Sequence, residues 1–122
     1  PMEVNLQPFE GSDVVYSNRL KVALADQIEY ICPAPLDAEM VDELNWLAAA
    51  VFRVTGALDV SRVDFRLDAS DNWKPNILEI NPLPGLSLGV SDLVIEAAAE
   101  GVEHTHLVNM ILDTALRRYQ LI

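Results

Sequence analysis

Residues 62–85 read RVDFRLDASDNWKPNILEINPLPG, a pattern typical of a β-hairpin. Two runs of alternating apolar and polar residues, Arg62–Asp68 and Asn76–Asn81, predict the two strands. The segment between them is rich in turn-forming residues, and Asp71 and Asn72 at its centre favour a two-residue turn. Because this turn sets the register of the strands, it also sets which polar side chains face one another.

The predicted register places four polar side chains on one face of the hairpin. Asp64 lies opposite Glu79 and Arg62 lies opposite Asn81, because residues two apart on a strand share a face. Two carboxylates directly opposite each other repel, and a cation between them would relieve that repulsion. Carboxylate and amide oxygens, with phosphate oxygens and water, are the ligands that Mg²⁺ prefers. The pattern therefore indicates a metal site, although solvated polar residues on the open face of a sheet would give the same sequence.

Two groups beside this patch are candidates for contact with an anion. Arg62 either pairs with Asp64 or donates its forked N–H groups to a phosphate or a developing oxyanion. The loop after the second strand contains Gly85, where backbone N–H groups are able to approach an anion closely. His104 and His106 are two apart in a predicted helix and do not share a face, so a role at the start of that helix, or simple exposure, is favoured over metal binding.

The remaining pattern predicts a mixed α/β (α+β) domain with a largely antiparallel sheet and flanking helices. The other face of the hairpin is apolar and is predicted to lie in the core: Val63, Phe65, Leu67, Leu78 and Ile80. Further strands are predicted at Met2–Leu6 and Ile28–Cys32. Helices are predicted from the Asp37 cap to about Thr55, over Asp92–Glu100 and over about Thr105–Tyr119.

Composition narrows the class of partner. The 122 residues carry a formal net charge of −11, which argues against nucleic acid or an anionic membrane as the partner. No apolar run approaches the length of a membrane span, and the single cysteine fits a reducing compartment, so a cytoplasmic location is predicted. The chain begins at Pro1 and runs at once into a strand-like segment, which predicts that it is part of a longer protein.

Several motifs together resemble a known family. R-V-D-F at 62–65 and L-E-I-N-P-L-P-G at 78–85 are preceded by E-Y-I-C-P-A-P-L at 29–36 and followed by S-D-L at 91–93. In this combination they resemble the C-terminal half of the ATP-grasp domain in the D-alanine–D-alanine ligase family. The resemblance implies that residues 1–122 are the C-terminal portion of such a domain, whose missing N-terminal half would be its partner.

The resemblance also implies roles for individual residues. Asp64, Glu79 and Asn81 correspond to the ligands of two Mg²⁺ ions, for which Mn²⁺ is an alternative, that bridge the ATP phosphates. Arg62 and the backbone N–H of Gly85 correspond to the groups that stabilise the negative charge of the reacting intermediates.

Other correspondences concern the nucleotide and the second substrate. Leu78 would line the adenine pocket, so it would serve both as a wall of that pocket and as part of the predicted core. Lys21 is the best candidate for the lysine of the family's mobile loop. Either Ser87 or Ser91 would hold the carboxylate of the second substrate, because the segment after Gly85 is about one residue longer than the family pattern.

The implied function is ATP-dependent joining of a carboxylate and an amine through an acyl phosphate. An amino acid, with D-alanine as the family's substrate, would be joined during synthesis of peptidoglycan precursors for the cell wall. The longer segment after Gly85 leaves the acceptor open to other amines. Taken alone, the chain is predicted to be inactive. The alternatives are a non-catalytic ATP-grasp-like module used for binding or assembly, and a stand-alone acidic interaction domain; the oligomeric state is open, a homodimer included.

Overall fold

The computed structural model describes residues 1–6 and 28–122. They fall into two compact units, Pro1–Leu36 and Asp37–Ile122. The predicted mobile-loop residue Lys21 lies outside the described residues.

The first unit contains a small antiparallel sheet. Its strands are β1 (Glu3–Asn5) and β2 (Glu29–Ile31), and Val4 lies opposite Tyr30. The Asn5 side-chain amide donates to the Glu29 carboxylate at 2.8 Å, which links the strands at one end. Both predicted strands are confirmed, each one residue shorter at either end.

The second unit begins with helix α1 (Ala38–Val54). The Asp37 carboxylate accepts a hydrogen bond from the Met40 N–H at 2.8 Å, as predicted for a helix cap. At the other end Gly56 adopts a φ of +69°, and its N–H donates to the Arg53 carbonyl at 3.2 Å. A residue with a side chain rarely adopts this left-handed conformation, so glycine suits the stop.

The predicted hairpin follows as β3 (Arg62–Asp68) and β4 (Lys74–Asn81), which pair in antiparallel fashion. The connection is not the two-residue turn expected at Asp71 and Asn72. A short 3-10 helix, Ala69–Asp71, is followed by two residues of positive φ, Asn72 and Trp73. The Asp68 carboxylate accepts hydrogen bonds from the N–H and the hydroxyl of Ser70, which stabilises this wider turn.

A register shift between Asp64 and Phe65 explains why the pairing near the site was nevertheless predicted correctly. At the end of the hairpin away from the turn, Asp64 lies opposite Glu79. One residue closer to the turn, Phe65 lies opposite Ile77 rather than Leu78. Leu78 is therefore the extra residue of a β-bulge. The bulge absorbs the one-residue difference between the expected turn and the observed one.

The bulge also corrects one predicted core residue. Leu78 is 55% exposed and lines an open groove together with Arg66 and Asn76, which belong to the polar face of the hairpin. Ile77, which was not among the predicted core residues, lies on the apolar face instead, because it pairs with Phe65. The prediction that Leu78 lies in the core was wrong, since an inserted residue reverses the alternation of faces.

Two helices complete the unit, α2 (Asp92–Ala99) and α3 (His104–Arg118), and they lie against each other. Val94, Leu107 and Leu44 of α1 are the buried apolar side chains of the second unit among the described residues. The mixed α/β class with antiparallel sheets and flanking helices is confirmed. No helix within the described ranges is long and apolar enough to cross a membrane.

Candidate functional site

Arg62 organises the candidate site at the start of β3. Its Nε and Nη2 donate to the two carboxylate oxygens of Asp64 at 2.7 and 2.8 Å. Its Nη2 also lies 3.5 Å from an oxygen of Glu79 across the hairpin. The two carboxylates that face each other therefore share one guanidinium, which offsets part of their repulsion.

The charge of Arg62 is strongly favoured in this setting. The hydrogen bonds to Asp64 raise the pKa of the guanidinium above its ordinary value, against the opposing effect of partial burial. The charges of Asp64, Asp92 and Glu79 act in the same direction. Arg62 is thus a permanent cation on this face of the hairpin.

Asn81 lies opposite Arg62, as predicted. Its side-chain oxygen accepts a hydrogen bond from the Leu83 N–H at 3.0 Å, which turns the chain where β4 ends. A second lone pair of that oxygen remains suitable for a cation.

The ligand set fits a cation that is bound jointly with a phosphate compound. Within residues 1–6 and 28–122, no three His, Cys, Asp or Glu side chains are arranged to hold an ion by themselves. Asp64, Glu79 and Asn81 nevertheless supply hard oxygen donors on one face. Mg²⁺ is commonly bound by one or two carboxylates together with substrate phosphates and water. The residues present fit that mode.

The loop after β4 contains the predicted Gly85, Ser87 and Ser91, and the structure brings them together. Ser91 is buried, and its hydroxyl accepts a hydrogen bond from the Ser87 N–H at 2.9 Å. A Cβ placed on Gly85 would lie 2.6 Å from the Ser91 Oγ. An added side chain at position 85 would force one of these groups to move, so glycine suits this close approach. Of the two serines, Ser91 has the side chain beside Gly85, whereas Ser87 contributes its backbone.

Two contacts that hold this loop were not predicted from the sequence. The His104 Nε2 at the start of α3 donates to the Leu86 carbonyl at 2.8 Å. Asp92, the first residue of α2, is 3% exposed, and its Oδ2 accepts from the Arg62 Nη1 at 2.7 Å. The Arg62–Asp92 pair joins the hairpin patch to the end of the Gly85–Ser91 loop. An acidic residue directly after Ser91 was the one available signal.

Leu78, the residue expected to contact a nucleotide, is exposed on β4. Leu78 lies on the groove that Arg66, Asn76 and Trp73 also line. This exposed position suits contact with a bound group better than the core position expected from the alternation of strand residues.

Comparison with known proteins gives a consistent result. The sequence profile of a family described as "D-ala D-ala ligase C-terminus" matches residues 4–113. The chain is 43% identical over 91 residues to a D-alanine–D-alanine ligase of Herminiimonas arsenicoxydans, covering 75% of the chain and 27% of that protein. It is 40% identical over 99 residues to an uncharacterized protein of Sinorhizobium fredii, covering 81% of the chain and 29% of that protein.

A solved structure agrees with the sequence matches. The crystal structure of a D-alanine–D-alanine ligase from Bacillus anthracis complexed with ATP has a TM-score of 0.68 to this chain at 26% identity. The similarity covers 77% of this chain and 31% of the other. The chain thus spans less than a third of the length of these relatives.

Proposed function

Because the chain belongs to the D-alanine–D-alanine ligase family, matching its C-terminal domain, we propose that it is the C-terminal part of an ATP-grasp ligase that forms C–N bonds. The observation that carries the proposal is the register that sets Asp64 opposite Glu79, with Arg62 bound to one and close to the other. Carboxylates opposed in this way favour a cation with bound phosphate oxygens. ATP is the phosphate compound, and a cytoplasmic location accords with its use.

The proposed reaction has two steps. The γ-phosphoryl group of ATP passes to a substrate carboxylate oxygen, releasing ADP and forming an acyl phosphate. An amine then attacks the acyl carbon, so that the C–N bond forms and phosphate leaves. Phosphoryl transfer depends mainly on positioning and on neutralising charge.

Each site residue has a task in this scheme. Asp64, Glu79 and Asn81 would hold Mg²⁺, which supplies charge neutralisation at the ATP phosphates. Arg62 would stabilise negative charge on the acyl phosphate and on the tetrahedral intermediate that follows amine attack, and the Gly85 N–H would donate to the same oxygen.

The substrates are held by other parts of the chain. Ser91, buried beside Gly85, is the better of the two candidate serines for the carboxylate of an amino acid acceptor. Leu78 would contact the adenine from its exposed position. Lys21 would contact the phosphates, as the resemblance to the family implies.

The experiment that tests the function is an ATP hydrolysis and ligation assay of the full-length protein that we propose contains this chain. Phosphate release that rises on addition of D-alanine, with formation of the dipeptide, is the expected result. Phosphate release only with another amine would retain the ligase class and change the acceptor. ATP binding without turnover in the presence of any amino acid or amine would favour the non-catalytic module.

A further inference from the structure

The Asp92 carboxylate is placed where a charge is costly unless it is compensated. It is 3% exposed, and together with Ser91 it makes up the buried polar residues of the part of the chain that the structure describes. A buried carboxylate loses most of its hydration, and this loss destabilises the fold unless the carboxylate is paired and hydrogen-bonded. Its 2.7 Å ion pair with the Arg62 Nη1 provides that compensation.

Arg62 is held from two separate elements of the fold. The Nε and Nη2 edge binds both oxygens of Asp64 on its own strand, two residues away. Nη1 binds Asp92 on α2, thirty residues further along the chain. The planar guanidinium is fixed in orientation by these two carboxylates, because each occupies a different edge.

The Asp64 carboxylate has two competing partners in the proposed site, Arg62 and the cation. Both of its oxygens accept hydrogen bonds from Arg62, yet a cation bound between Asp64 and Glu79 needs at least one of them. Arg62 must then give up part of its contact with Asp64. Its contact with Asp92 does not compete with the cation, since Asp92 lies on the other edge of the guanidinium.

We propose that Asp92 is the positioning residue for Arg62, keeping the guanidinium beside Asp64 and Glu79 while Asp64 turns to the cation. The inference rests on the proposed function. Without the negative charge of Asp92, Arg62 would pair more strongly with Asp64, its nearest remaining counter-ion. Metal binding would weaken, and the group meant to stabilise the reacting oxyanion would be less well oriented.

The test measures Mn²⁺ affinity in the presence of ADP by electron paramagnetic resonance, using the full-length protein. Asp92→Asn preserves the shape of the side chain and removes its charge, and we expect affinity to fall about tenfold or more. Asp68→Asn is the matched control, because Asp68 lies on the same strand as Asp64 but binds the turn residue Ser70. We expect the control to stay within twofold of wild type.

Asp92→Asn could also weaken Mn²⁺ binding by removing a nearby negative charge, or by removing an acidic residue that stabilises the first turn of α2. Repeating the substitution in protein that already carries Arg62→Met separates these two effects from the positioning of Arg62. In Arg62→Met protein there is no guanidinium to position, so adding Asp92→Asn should change Mn²⁺ affinity less than twofold. Asp92→Glu keeps the charge, so its Mn²⁺ affinity should stay within threefold of wild type. This variant also provides a test if Asp92→Asn does not fold.

The outcomes divide clearly. Wild-type affinity in Asp92→Asn, an equal loss in both backgrounds, or a loss in Asp92→Glu of the size expected for Asp92→Asn would overturn the inference while leaving the proposed function in place. A wild-type protein that binds no Mn²⁺ with ADP would instead overturn the proposed function, and the inference with it.

Discussion

Gly85 and Ser91 approach each other so closely that a methyl group added to Gly85 would force one of them to shift. A Cβ on Gly85 would lie 2.6 Å from the Ser91 Oγ and 3.4 Å from the Ser91 Cβ. We predict that Gly85→Ala lowers the free energy of unfolding by about 1–3 kcal/mol, the usual cost of overpacking. It should also abolish ligation, because the backbone N–H at position 85 would move.

A variant that also lacks the Ser91 hydroxyl is the matched control for this clash. In Gly85→Ala/Ser91→Ala the nearest remaining atom is the Cβ of residue 91, a tight but tolerable neighbour. The double variant should therefore be more stable than the sum of the two single changes, as urea unfolding of all four proteins would measure. Additive changes would show that the approach of Gly85 to Ser91 does not limit the loop.

Substitution of Glu79 is expected to affect turnover much more than stability. Its side chain is 60% exposed and faces the carboxylate of Asp64 across the hairpin. Glu79→Gln removes the charge of a proposed metal ligand and relieves like-charge repulsion. We predict at least about a 100-fold loss of turnover in the full-length protein, equal to about 3 kcal/mol of charge stabilisation.

The same variant should retain its stability within about 1 kcal/mol in thermal or urea unfolding, since exposed cross-strand charge pairs contribute no more than that. Turnover at the wild-type rate would remove Glu79 from the metal site. A large loss of stability would give it a structural role instead.

The polar residues of the hairpin could be located from the sequence because strand alternation and pairing are local rules. Arg62 and Asp64 share a face by alternation, as do Glu79 and Asn81. Their cross-strand pairing was right because the bulge in β4 offsets the wider turn. Asp92 could not be located in this way. Its partner lies thirty residues away, and the ion pair depends on the path of the intervening loop.

At the scale of elements, α3 fixes the loop that contains Gly85. The bond from the His104 Nε2 to the Leu86 carbonyl is its anchor at the start of the helix. We predict that His104→Ala raises the rate of amide hydrogen exchange across residues 85–91, because the loop loses its contact with a rigid element. His106→Ala is the control, since His106 is exposed one half-turn further along. Equal exchange in both variants would contradict the anchor.

The opposite end of α3 is tied to the segment before β3. Arg118 donates to both oxygens of Asp59 at 3.1 and 2.7 Å, fifty-nine residues apart in sequence. The hydrogen bond from Arg118 holds the pKa of the Asp59 carboxyl below its ordinary value. A carboxyl whose pKa is lowered on folding stabilises the fold above its unfolded pKa, and this stabilisation is lost as the pH falls through the folded pKa.

The lowered pKa of Asp59 therefore predicts how the stability of the protein depends on pH. We predict that Asp59→Asn destabilises the protein at pH 7 and that the difference from wild type shrinks as the pH falls below about 4. In an NMR titration, the pKa of Asp59 should rise in Arg118→Gln and stay low in Arg117→Gln, the adjacent control. An Asp59 pKa at or above 3.8 in wild-type protein would contradict the pairing.

Element boundaries were predicted to within about two residues, because caps and stops are local signals: Asp37 at the start of α1 and Gly56 at its end. The shape of the hairpin turn was not. A five-residue connection plus a bulge at Leu78 gives the same register near the site as a two-residue turn without a bulge. The alternation pattern alone does not distinguish these two arrangements.

At the scale of the whole molecule, many large apolar side chains of the described residues are exposed. Ile28, Leu44, Val94 and Leu107 are the buried apolar side chains among the described residues, and none of the four is completely shielded from solvent. Val54 and Leu83 are each 87% exposed, and Trp46 is 70% exposed. Apolar surface of this extent favours burial against further protein. It supports the proposal that the chain works as part of a longer ligase.

The last prediction follows from this exposure and from the charge of −11. The site on the hairpin offers carboxylates and one arginine, so ATP phosphates would depend on cationic groups elsewhere in the full-length protein. We therefore predict that the isolated 122 residues show no ligation, bind ATP at least 100-fold more weakly than the full-length protein, and bind an apolar dye that the full-length protein excludes. Calorimetry with Mg-ATP and dye fluorescence on both proteins would measure these differences. Ligation by the isolated chain would show that its own residues complete the active site.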